Sequence, residues 1–112
     1  MSNDMTMNKF FPAGALDQFL PQIGRVVEIG GQQIAVFRVS NGGIFAVLNK
    51  SPHPKSGPLA EGIVSGNYLY DPLYDWKIDL TTGQVQAPDN GQVQTFQVKV
   101  EDGQVWIAAG QQ

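Results

Sequence analysis

"NKSPHPKSGPLAEGIVSGNYLYDPLYDWKIDL", residues 49–80, decides how the rest of this 112-residue chain is read. Pro52, Pro54, Pro58 and Pro72 fall within it, and Gly57, Gly62 and Gly66 punctuate it. Proline fixes φ and donates no backbone hydrogen bond, so such a segment is ordered by packing, as preset loops. Two loops stand out, Ser51-Pro52-His53 and Asp71-Pro72-Leu73-Tyr74, with 17 residues between His53 and Asp71. Between them, Ile63-Val64, Ser65-Gly66 and Tyr68-Leu69-Tyr70 predict a hairpin, and Trp76-Lys77-Ile78-Asp79 predicts a third short strand. The loop-rich part, about residues 49–75, reads as a small subdomain inserted between Leu48 and Trp76.

Outside that stretch the pattern is short strands broken by glycine turns. Arg25 to Ile29 meets Gly30-Gly31 and returns as Gln33 to Val39; Asn41-Gly42 supplies the next tight turn, and Ile44 to Leu48 follows. Near the C-terminus Phe96, Val98 and Val100 alternate with Gln97 and Lys99, Asp102-Gly103 turns the chain, and Val105 and Ile107 continue the inward face. A period of two residues is the signature of strands, and the expected fold class is all-β. Val93 is out of phase with Phe96, Val98 and Val100, which calls for a bulge near Gln94-Thr95 or a later strand start. The best helical candidate is a single turn at Leu16 to Leu20, between Gly14 and Pro21. The 12 glutamines sit mostly at outward strand positions or in the tail, where they form a solvated polar face.

With 42% hydrophobic residues, the chain is long enough to form one domain over 1–112 and to bury a core without metal or disulfide help. Its charge is −3, and the seven Lys and Arg residues are scattered, which argues against nucleic acid as a partner. Cysteine is absent, which excludes disulfides, thiolate chemistry and cysteine-held iron–sulfur or zinc sites. Met1 to Thr6 is polar and has no basic stretch leading into an apolar run, so it does not read as a signal peptide. The longest apolar runs span five residues, as at Ile44 to Leu48, whereas a membrane helix needs about 20. The expectation is a soluble, cytoplasmic protein with no membrane partner.

The order of parts resembles the Rieske fold: a β-sandwich with an inserted three-stranded subdomain, whose two loops hold a [2Fe–2S] centre through Cys-x-His and Cys-x-x-His. Here the corresponding positions read Ser51-x-His53 and Asp71-Pro72-x-Tyr74, followed by Asp75-Trp76-Lys77-Ile78-Asp79 and a turn at Gly83. Within that superfamily the chain is most similar, over residues 8–109, to the small subunits of assimilatory NAD(P)H-dependent nitrite reductases. Gly57-Pro58-Leu59, Glu61-Gly62-Ile63-Val64 and Pro72-Leu73, Asp75-Trp76-Lys77-Ile78 carry the resemblance. Many members of that small-subunit family lack the cluster ligands. The resemblance implies an accessory subunit with no catalytic residue of its own, in a cytoplasmic enzyme that reduces nitrite to ammonium for nitrate assimilation. It further implies a large catalytic subunit carrying FAD, an Fe–S centre and sirohaem. The rival readings are a Rieske-type, ferredoxin-like electron carrier and a small-ligand binding module using the vacated site.

The chemistry of the four positions opposes a cluster. In a Rieske centre two thiolates bind one iron and two imidazoles the other. Ser51 offers a hydroxyl, Asp71 a hard oxygen poorly matched to an iron–sulfide cluster, and Tyr74 a phenol; His53 alone remains. No cofactor bound by this chain is expected. His53 and Asp71 are also too few for a mononuclear metal. Instead, hydrogen bonds are expected to hold the loops, with Tyr74 donating to Asp71 or the opposite loop and Ser51 bonding the backbone beside it. Tyr68, Tyr70, Tyr74 and Trp76 concentrate aromatics here; Trp76 and one tyrosine are expected to pack, leaving others near the loop tips. In cluster-bearing relatives the tips face the partner, so the resemblance makes His53, Pro54, Lys55, Leu73 and Tyr74 the candidate partner-binding residues. Leu73 has no evident strand partner.

Overall fold

In the computed structural model, which describes residues 9–109, ten short strands follow one another. They are β1 (Phe10–Ala15), β2 (Arg25–Ile29), β3 (Gln32–Arg38), β4 (Ile44–Leu48), β5 (Ile63–Ser65), β6 (Tyr68–Tyr70), β7 (Lys77–Asp79), β8 (Thr95–Phe96), β9 (Val98–Glu101) and β10 (Gln104–Ala108). Among the described residues the only helical pieces are 3-10 turns at Leu16–Gln18 and Leu59–Glu61, so the protein is all-β. No helix of the described residues is long and apolar enough to cross a membrane. The sequence reading of Met1 to Thr6 lies outside the described residues.

Glycine chemistry sets the strand order. Gly30 and Gly31 both take positive φ, 59° and 81°, and Asp102 and Gly103 take 52° and 73°. Two successive left-handed residues make the turn whose twist matches the flanking strands, and these turns close the β2–β3 and β9–β10 hairpins. The strands form three antiparallel sheets, ordered β1-β10-β9, β2-β3-β4-β8 and β5-β6-β7.

The four-stranded sheet is the middle layer, and β3 shows it. Ile34 and Val36 join one apolar cluster with Phe19, Ala46, Val105 and Ile107, facing the β1-β10-β9 sheet. Ala35 and Phe37 join the other cluster with Val47, Leu59, Leu69 and Ile78, facing the small sheet. A strand covered on both faces has no polar alternate, which is why Ile34-Ala35-Val36-Phe37 runs apolar without a break. The small sheet packs close. Gly24 abuts the Ala60 carbonyl and Gly62 the Tyr70 carbonyl, where no Cβ would fit.

Two details of the C-terminal reading need correction. The alternation from Phe96 to Val100 is not one strand: β8 pairs with β4 in the middle sheet, whereas β9 pairs with β10 in the outer one, so the chain changes sheet at Gln97. Val100 was expected to face inward but is 44% exposed. It lies opposite Val105 on an edge strand, with its own face only partly covered. The phase slip at Val93 has a plain cause. The strand starts later, at Thr95, and Val93 instead enters the core beneath the small sheet, its N–H bonded to the Gly83 carbonyl at 2.8 Å.

Candidate functional site

The first loop follows β4 of the middle sheet and the second follows β6 of the small one. Asp71 follows β6 directly; its N–H donates to the Trp76 carbonyl at 3.1 Å, and Asp75 N–H returns to the Asp71 carbonyl at 3.3 Å. Asp75, at φ 57°, then reverses the chain into β7. This tight turn puts the Asp71 side chain inside, only 1% exposed, beside Ser51 at 5%.

The Asp71 carboxylate is the centre of the site. Its Oδ1 accepts three hydrogen bonds: from Ser56 Oγ at 2.8 Å, Tyr74 N–H at 2.7 Å and Leu73 N–H at 3.1 Å. Its Oδ2 accepts a long bond from Ser51 Oγ at 3.5 Å. Ser51 Oγ in turn accepts the His53 N–H at 3.0 Å, and His53 Nδ1 accepts the Lys55 N–H at 3.0 Å. The His53 ring lies flat on Tyr74, with centroids 3.8 Å apart and planes 7° from parallel, and it meets Trp76 edge-on at 4.8 Å. Burial of the Asp71 carboxyl pushes its pKa up. The hydrogen bonds from Tyr74, Ser56 and Leu73, with a smaller contribution from the Trp76 backbone, more than offset that and hold it below the ordinary 3.8.

The geometry brings Ser51, His53, Asp71 and Tyr74 together, as the resemblance to the Rieske frame implied, and Ser51 does bond the backbone beside it. The Tyr74 expectation needs refinement: its bond to Asp71 comes from the backbone N–H, while the ring stacks on His53. Trp76 packs on the core as expected; Tyr68 and Tyr70 are half-buried in β6, and Tyr74 is 47% exposed. Leu73 is 66% exposed, and Pro54 and Lys55 are exposed beside it. Sequence reasoning missed Ser56. Nothing in Lys55-Ser56-Gly57 marks that hydroxyl as facing Asp71, because the pairing depends on how the loops fold together.

These residues do not fit a [2Fe–2S] centre. No thiolate exists in the sequence, the Asp71 oxygens are occupied by N–H and O–H donors, and the Nδ1 lone pair of His53 is taken by Lys55. Among the described residues no group of three or more His, Cys, Asp or Glu side chains is placed to hold a metal ion.

A family model for the Rieske-like [2Fe-2S] domain matches residues 9–108. The anthranilate 1,2-dioxygenase ferredoxin subunit of Burkholderia cepacia is 31% identical over 108 residues, covering 96% of this chain and 98% of that protein. The nitrite reductase (NADH) small subunit of Escherichia coli K12 is 26% identical over 97 residues, covering 82% of this chain and 90% of that one. Among solved structures, one described as an NADH-dependent nitrite reductase small subunit from Mycobacterium tuberculosis superposes with a TM-score of 0.84 at 24% identity, over 92% of this chain and 96% of the other; this likeness concerns the fold.

Proposed function

We propose, from the premise that the chain belongs to the Rieske-like [2Fe-2S] domain family, that it is the cluster-free accessory small subunit of an NAD(P)H nitrite reductase. The observation that carries this reading is the Asp71 carboxylate, occupied by hydrogen-bond donors from both loops where relatives of this family hold iron. A chain so built has no electron to pass and no catalytic residue of its own. Its role is to stabilise or complete the large catalytic subunit, which on this reading carries FAD, an Fe–S centre and sirohaem. The chain works as one domain over 1–112 with its loop-bearing part at about 49–75. It belongs to the cytoplasmic reduction of nitrite to ammonium in nitrate assimilation. Its contact is made by His53, Pro54, Lys55, Leu73 and Tyr74. Exposed apolar and aromatic side chains with few charges suit a protein partner.

The test is capture of the large subunit from the protein's own cells by the tagged chain and by its Leu73→Ala and Lys55→Glu variants. Leu73→Ala should weaken association by about 1–3 kcal/mol, roughly 5- to 150-fold, and leave the Tm of the isolated chain unchanged. Unchanged capture by both variants would move the interface elsewhere, and loss of Tm without the partner would make Leu73 a core residue. A second reading, a ferredoxin-type electron carrier, draws on the 31% identity to the dioxygenase ferredoxin. It requires a redox group, and the visible absorption spectrum of the pure protein separates the two.

A further inference from the structure

We infer that the Ser56–Asp71 hydrogen bond is the joint that closes the two loops without a metal, making Asp71 a positioning residue for the exposed Leu73–Tyr74 surface. The docking role of that surface rests on the function proposed above; the joint does not.

The bonds to Asp71 from Leu73 and Tyr74 N–H come from two and three residues away, and alone they would be a local turn of the kind aspartate often makes. Ser56 is different. It comes from the other loop, 15 residues away, and its hydroxyl reaches a charged acceptor at 2.8 Å, the length of a strong charge-assisted bond. Ser51, also from the first loop, approaches the second carboxylate oxygen at 3.5 Å, too long to carry the link. One oxygen, Oδ1, therefore ties the first loop to two consecutive amides of the second.

The arrangement inverts the charge of a metal centre and keeps its connectivity. A cation gathers lone pairs from two loops; a carboxylate gathers N–H and O–H groups. This is why hydroxyls at Ser51 and Ser56 suit the site. Lone-pair donors alone would leave the Asp71 charge, 1% exposed, without partners in a place where that is costly. Outside the joint, the Tyr74 ring lies on His53, whose N–H and Nδ1 are held by Ser51 and Lys55. Leu73 and Tyr74, 66% and 47% exposed, are thus presented on a backbone already fixed, which lowers the ordering entropy of docking into an apolar socket on a protein partner.

The experiment uses the full chain with Ser56→Ala, and with Asp71→Asn where that variant folds. Amide hydrogen exchange is read residue by residue, and capture of the large subunit is measured in parallel. With Ser56→Ala, exchange at His53, Lys55 and Tyr74 should quicken at least ~5-fold while β3 and β4 keep their rates, a loss of one charge-assisted bond. First-loop amides unchanged by Ser56→Ala would overturn the joint, because the loops would then be held independently. An equal rise across β3 would overturn it too, by showing a residue of general stability. If the loops loosen as expected and capture falls, the joint and the docking surface both stand. If they loosen and capture is unaffected, the joint stands and the docking site proposed above falls.

Discussion

Asp71 keeps a charge where almost no water reaches it, and its titration reports what that arrangement does for stability. Desolvation raises the pKa and the bonds from Tyr74, Ser56 and Leu73 lower it, with the net below 3.8. As pH falls, the unfolded chain therefore takes up this proton before the folded one does. The stabilisation from Asp71 is complete above about pH 4 and is lost as pH drops through the lower folded value. Urea unfolding of the natural chain and of Asp71→Asn between pH 7 and pH 2.5 should show the variant less stable by about 1–3 kcal/mol at neutral pH, with the gap closing in acid. A constant gap over that range would mean that the carboxylate charge plays no part. At this scale Ser51, His53, Asp71 and Tyr74 could be grouped because they fall at the positions that the resemblance to the Rieske frame marks. Ser56 could not, because a serine between Lys55 and Gly57 has nothing local to distinguish it from a solvated loop residue.

The glycines of the small sheet separate two physical roles. A Cβ at Gly62 would strike the Tyr70 carbonyl and stand 2.9 Å from Leu69, both parts of β6 or its core. At Gly66 nothing lies within 4 Å, but φ is 59°. Gly62→Ala is therefore expected to cost about 1–3 kcal/mol through overpacking, whereas Gly66→Asn, which tolerates a left-handed turn, should be nearly neutral. Equal losses in urea unfolding would remove close packing as the reason for glycine at 62. The turns were legible because Gly30-Gly31 and Asp102-Gly103 specify their own backbone conformation. The change of sheet at Gln97 was not, since alternation looks the same on both sides of it. Its one trace in the sequence was the phase slip at Val93, a residue that serves the other core.

Among the described residues three sheets enclose two apolar clusters. The all-β class followed from period-two patterning. The layer order did not, because the unbroken run Ile34 to Phe37 shows that both faces of β3 are covered but not by which strands. The family was legible through the loops at Ser51 and Asp71 and the strand after Trp76, even though the ligands that usually mark that frame are absent. On the proposed reading, a Rieske-like frame here stands closed by a carboxylate and hydroxyls instead of iron. That reading is tested most directly by iron and acid-labile sulfide analysis of the protein purified from its own cells without oxygen. Neither element should rise above background; iron and sulfide in equal, stoichiometric amounts would mean that the frame holds a cluster after all.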